Sequence, residues 1–92
     1  MWDASLEELL AERSARYGAF TDNAAISQAL KERMRVFPRW YVMDPDMQEA
    51  LEMIAHKISR ILAGDQHYAD SWADIAGYAT LVAERLKALA KQ

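Results

Sequence analysis

The chain contains no cysteine, which removes disulfides and thiolate-held metals from consideration. Its three glycines, Gly18, Gly64 and Gly77, are scattered, so no glycine-rich phosphate loop runs through them. One serine near one histidine does not make a Ser-His-Asp triad either. No apolar run approaches the roughly 20 residues that span a bilayer. The opening segment also lacks the basic and then apolar pattern of a secretory leader. A soluble protein of the cytoplasm, with no membrane partner, is the expectation. The formal net charge is only −3, and no block of Lys or Arg stands out. Gripping a nucleic-acid backbone needs several clustered cations, so nucleic acid is not the expected partner.

What is present is apolar surface in a short chain. Hydrophobic residues make up 52% of 92, and three Trp and four Tyr add large, partly polar contact area. A chain of this length forms one domain, residues 1–92, and buries only about 60–65% of its unfolded surface. A lone copy would be marginal, so a homo-oligomer is expected.

The apolar spacing gives an all-α protein: a compact antiparallel bundle of about four helices with short connections. The first helix starts near Ser5, where Ser5-Leu-Glu-Glu8 reads as a capping box, and stops at Tyr17-Gly18. The second starts at Thr21 to Asn23, any of which can cap it, and ends before Pro38. Val36 to Met43 is an aromatic-rich connector that Pro38 keeps from being a strand. It is either a loop packed over the core or a lid or subunit contact. Asp44-Pro45 starts the third helix and Gly64 stops it. The fourth runs from about Ser71 to Ala90 with Asp70 as its N-cap. Its Ile75, Ala79, Val82, Leu86 and Leu89 form a regular packing seam.

The chemistry-bearing residues fall on the helix faces opposite these seams. On the third helix Leu51, Ile54, Ile58, Ile61 and Leu62 cluster on one side, and Glu49, Glu52, Met53, His56 and Arg60 on the other. The plain reading of that second side is a solvated surface with pairs such as Glu52–His56. On the fourth helix the opposite face carries Asp70, Asp74, Gly77 and Leu81. A mid-helix glycine costs about 1 kcal/mol against alanine, so Gly77 suggests a close approach by a helix or a ligand. Tyr78, Trp72 and Tyr68 lie nearby. A hard divalent cation such as Mg²⁺ takes oxygen ligands, usually a few carboxylates with substrate phosphates. Glu49 and Glu52, one turn apart, can share such an ion, with Asp74 joining from the neighbouring helix. His56 suits a hydrogen bond to a ligand, while Lys57 and Arg60 suit phosphate.

Tyr17-Gly18-x-Phe20 followed by Asn23, then HKISRILAGD, then DSWADIAGYATL resemble a family of short phage and prophage proteins. That family is similar to the MazG-like, all-α nucleoside triphosphate pyrophosphohydrolases, and the resemblance covers about Tyr17 to Leu86. Such enzymes hold Mg²⁺ with an E-x-x-E pair on one helix and an E-x-x-D pair on the next. Glu49-Ala-Leu-Glu52 matches the first pair. The second is incomplete: Asp74 stands for its aspartate, but Ser71 occupies the position three before it, with Asp70 as the nearest substitute. The resemblance implies Glu49, Glu52 and Asp74 as catalytic carboxylates, with Asp70 completing the metal set. It adds Tyr17 and Asn23 to His56, Lys57, Arg60, Trp72 and Tyr78 as ligand-binding residues.

Three functions follow as expectations. The first is a Mg²⁺-dependent nucleotide pyrophosphohydrolase cutting between the α and β phosphates. The second is a catalytically inactive sponge that sequesters a nucleotide, such as an immune-signalling nucleotide of a phage's host, in the host cytoplasm. The third is a helical module that binds another protein.

Overall fold

The computed structural model describes residues 4–91. Its order is α1 (Ala4–Tyr17), α2 (Phe20–Arg35), a short 3-10 turn (Pro38–Val42), α3 (Pro45–Ala63) and α4 (Ala69–Ala90). The described residues are thus all-helical, as the apolar periods require. The helix ends follow the glycine and proline signals closely: α1 stops at Gly18, α2 before Pro38, and α3 between Pro45 and Gly64.

The side-chain caps differ from expectation. α1 is helical from Ala4, the first described residue and one residue from the expected start, with Ser5 itself inside the helix. α2 begins at Phe20 after an extended Ala19, ahead of Thr21 and Asn23, and Asn23 turns inward. α4 begins at Ala69, which leaves Asp70 in its first turn as an acceptor for the Tyr68 hydroxyl at 3.1 Å. Asp44 does hold the N-cap position of α3, but its carboxylate accepts from Arg85 of α4 at 2.8 Å instead of capping. For Asn23, Asp70 and Asp44 another side chain or a neighbouring helix outcompetes the local backbone.

α3 is the central element, flanked by α2 and α4 on opposite sides. With about 100° of rotation per residue, Ser59 and Glu52 face one way, and Lys57 and Asp46 the other. Ser59 meets Asn23 of α2 at 2.6 Å and Glu52 meets Arg35 at 3.2 Å. Across α3, Lys57 meets Asp74 of α4 at 2.9 Å and Asp46 meets Arg85 at 2.6 Å. Both flanking helices therefore run antiparallel to α3. Among the described residues those buried on the helices are small or polar, Ala50, Ala55, Ser27, Ser59, Ser71 and Asn23, and Trp40 is buried from the connector.

In place of the expected compact bundle the helices form an elongated array, with α2 and α4 on the flanks of α3. The radius of gyration is 16.1 Å over a 54 Å long axis, against about 12 Å for a compact domain of this length. α1 buries none of its residues and joins the rest at its C-terminal end. The large apolar stripe of α3 is only half-buried, and Leu62 is 65% exposed. On α4, Ile75 and Val82 are half-buried, whereas Leu86 and Leu89 are exposed. α2 and α4 grip the flanks of α3 and leave its stripe between them uncovered. The connector divides likewise: Trp40 is buried and accepts from Gln48 at its carbonyl (2.7 Å), while Phe37, Tyr41 and Val42 are exposed.

Candidate functional site

Two glycines build the site. Gly18 takes a φ of +78°, and a Cβ there would collide with the carbonyl of Ala63. A Cβ at Gly64 would collide with the backbone of Arg16 and Tyr17. Only glycine tolerates this conformation and approach without strain, so the ends of α1 and α3 cross in direct backbone contact. The Asp65 amide seals the crossing by donating to the Arg16 carbonyl at 2.7 Å.

An aromatic and cationic stack stands on that crossing. The Arg60 guanidinium lies 4.2 Å from the centre of the Tyr17 ring, and Arg16 lies 5.1 Å from that of Tyr68. The two tyrosines meet edge to face at 5.9 Å. Beneath them, buried Asn23 accepts from the Ser59 hydroxyl (2.6 Å) and donates to the Tyr17 carbonyl (3.4 Å). The same hydroxyl is 2.6 Å from the His56 carbonyl, so its one proton serves either acceptor. Asn23 thereby ties the start of α2 to both α1 and α3.

Above this floor opens a cleft of about 280 Å³, lined by residues of α1, α2 and α3. Tyr17, Asn23, His56 and Arg60 line it, joined by Arg13 and Phe20. Among the described residues it carries two guanidinium groups and no carboxylate. Burial holds the His56 imidazole below its ordinary pKa, and the charges of Arg60, Lys31 and Lys57 lower it further. The field in the cleft is thus positive while the histidine is neutral near pH 7. Such a cleft suits a ligand with an anionic end for the guanidinium groups and a flat ring for an aromatic face. Phe20, 82% exposed, offers that face.

The remaining expected site residues are dispersed. Lys57 points away to Asp74 (2.9 Å). Trp72 lies on the surface, donating its indole N–H to the Gln66 carbonyl at 2.9 Å. Tyr78 shares a shallow hollow on α4 with Asp74, Gly77 and Leu81. A Cβ at Gly77 would meet nothing within 4 Å, so no close approach within the described residues explains that glycine. Of the carboxylates, Glu49 is exposed, Glu52 pairs with Arg35 on the α2 side, and Asp74 pairs with Lys57 on the α4 side. Among the described residues no three His, Asp or Glu side chains gather as a metal-holding group. Glu49, Glu52, Asp70 and Asp74 therefore do not fit one Mg²⁺ ion within a single chain.

Sequence reasoning missed Arg13 and Phe20. The available signal for Arg13 was its position four before Tyr17, which places both on one face of α1.

Comparison with known families matches residues 3–86 to a family model described as a domain of unknown function, DUF6378. The comparisons with curated proteins and with solved structures return no match.

Proposed function

The chain therefore belongs to the DUF6378 family, and we propose that it binds a nucleotide in the cleft between α1, α2 and α3 and holds it without cleaving it. The observation that carries this reading is the composition of the cleft: Arg13, Arg60, Tyr17, Phe20 and His56 converge there, and among the described residues no carboxylate does. Arg60 and Arg13 take the phosphates, His56 and Asn23 supply polar contacts, and an aromatic ring supports the base. Stacking of a base on an aromatic side chain is worth about 1–3 kcal/mol in nucleic-acid complexes, and charge-assisted contacts to phosphate add to it. Hydrolysis with Mg²⁺ is the weaker reading, because Glu52 and Asp74 are engaged by Arg35 and Lys57 on opposite flanks of α3. Sequestration needs no such cluster. It also suits the resemblance to phage proteins, for which a signalling nucleotide of the host is a fitting ligand.

The test is one incubation read twice. Purified protein is mixed with linear, modified and cyclic nucleotides in the presence of Mg²⁺ and filtered, and the filtrate is chromatographed before and after heating the retained protein. The expected result is a nucleotide that leaves the filtrate and returns intact on heating. Release of a monophosphate and pyrophosphate would replace this reading with the hydrolase. Retention of no nucleotide would remove both and leave the protein-binding module.

A further inference from the structure

On the side of the α2–α3–α4 array away from the nucleotide cleft, no second layer covers α3 among the described residues. Two apolar grooves run along it. One is lined by Leu30, Met34, Phe37 and Trp40 with the stems of Arg33 and Arg39, the other by Met47, Ile54, Ala79, Val82 and Leu86. Met43 and Leu51 belong to both, so the grooves form one continuous surface. Leu62 extends it along the same stripe of α3. An amphipathic element must bury its apolar stripe against another layer; the connector packs only at the Leu51 end of this one, and Leu62 at the other end is exposed.

We propose that this surface is the self-association face of the protein, covered by the same surface of a second copy. Area fits that occupant. The chain exposes 6775 Å², about 1,300 Å² more than a folded monomer of 10.5 kDa is expected to expose. A standard stable interface buries about 800 Å² on each partner, so one copy supplies enough cover to remove most of the excess. Charge is compatible with self-pairing. Among the described residues the groove between α3 and α4 has no charged lining residue, so two copies paired there across a two-fold axis oppose no like charges, while Arg33 and Arg39 of the other groove are long enough to turn their charged ends to solvent. The flexible side chains of Met34, Met43 and Met47 can adjust to the matching surface. Pairing the two faces gives each α3 stripe the cover that the described residues of one chain do not supply.

The test is the solution mass of the full chain by sedimentation equilibrium across a wide concentration range, repeated on two variants. Leu62→Glu places a charge on the proposed face at an exposed position, so the monomer fold tolerates it. Leu81→Glu is the control, an exposed leucine on the other side of α4. The expected result is twice the 10.5 kDa chain mass for the parent and for Leu81→Glu. Leu62→Glu should raise the dimer dissociation constant roughly a hundredfold, with helical circular dichroism retained. A parent that stays monomeric at every concentration overturns the proposal and gives the face to a different protein. A dimer that Leu81→Glu dissociates and Leu62→Glu leaves intact also overturns it, because the partner then sits on the cleft side.

Discussion

Replacing Gly64 by alanine tests whether the glycine crossing assembles the cleft. The added Cβ meets backbone atoms of Arg16 and Tyr17, which cannot rotate aside as a side chain would. α1 has no buried residue of its own, so the strain is relieved by undocking α1 and not by unfolding the array. Undocking breaks a small set of interactions. The Asp65–Arg16 backbone hydrogen bond is worth about 1 kcal/mol. The two cation–π pairs contribute about 0.5–1 kcal/mol each, and the tyrosine pair about 0.5–1.5 kcal/mol. Docking of α1 through this corner therefore rests on about 2.5–4.5 kcal/mol, roughly a 70- to 2,000-fold population factor. Hydrogen exchange read by mass spectrometry should show a loss of protection of that order confined to α1, with α3 and α4 little changed. Nucleotide retention should fall with it, since Arg13 and Tyr17 leave the cleft. If Gly64→Ala keeps α1 protected as in the parent, the reasoning from backbone contact is refuted.

Ser59→Ala removes the donor to buried Asn23 and is expected to cost about 1–3 kcal/mol. Urea unfolding measures this, and a negligible change would mean that Asn23 finds another donor. His56 has a lowered folded pKa, so the unfolded chain binds the extra proton first as pH falls. Its stability contribution is complete above about 6.5 and declines as pH drops from there toward the folded pKa. An anionic ligand favours the protonated ring, so nucleotide affinity should rise as pH falls below about 7, with proton uptake seen by calorimetry. His56→Gln should flatten that rise. Arg85 holds the Asp46 carboxyl below its usual range through their hydrogen bonds. That stability is present above about pH 4 and is lost as pH falls through the lowered pKa of Asp46. Arg85→Ala should therefore remove part of the acid transition seen by circular dichroism.

The helices are legible in the sequence because their periods and stops are local. Gly18, Pro38, Pro45 and Gly64 end or start elements by backbone chemistry alone, and each does so here. The caps are not legible, because Asp44 and Asn23 have tertiary partners that local sequence does not reveal. The packing departs from expectation for a related reason. Seams drawn through Leu51, Ile58 and Leu86 assume that large apolar residues are the buried ones, whereas Ala50, Ala55, Ser59 and Ser71 are. Small residues allow close crossings and give a weak hydropathy signal. Of the expected ligand residues, Tyr17, Asn23, His56 and Arg60 share one cleft. Lys57, Trp72 and Tyr78 are near them in sequence pattern but lie elsewhere, because α4 sits on the flank of α3 away from α2.

The most direct test of nucleotide binding at this cleft is equilibrium retention of a nucleotide by Arg60→Ala beside Glu52→Ala and Asp74→Ala, each first shown to keep its helical signal. Arg60→Ala is expected to lose retention by roughly tenfold or more, as a charged contact of about 1.5–3 kcal/mol implies, while the two carboxylate variants stay near the parent. Retention that survives Arg60→Ala and disappears with Glu52→Ala or Asp74→Ala would contradict the cleft and point to a metal held by the carboxylates.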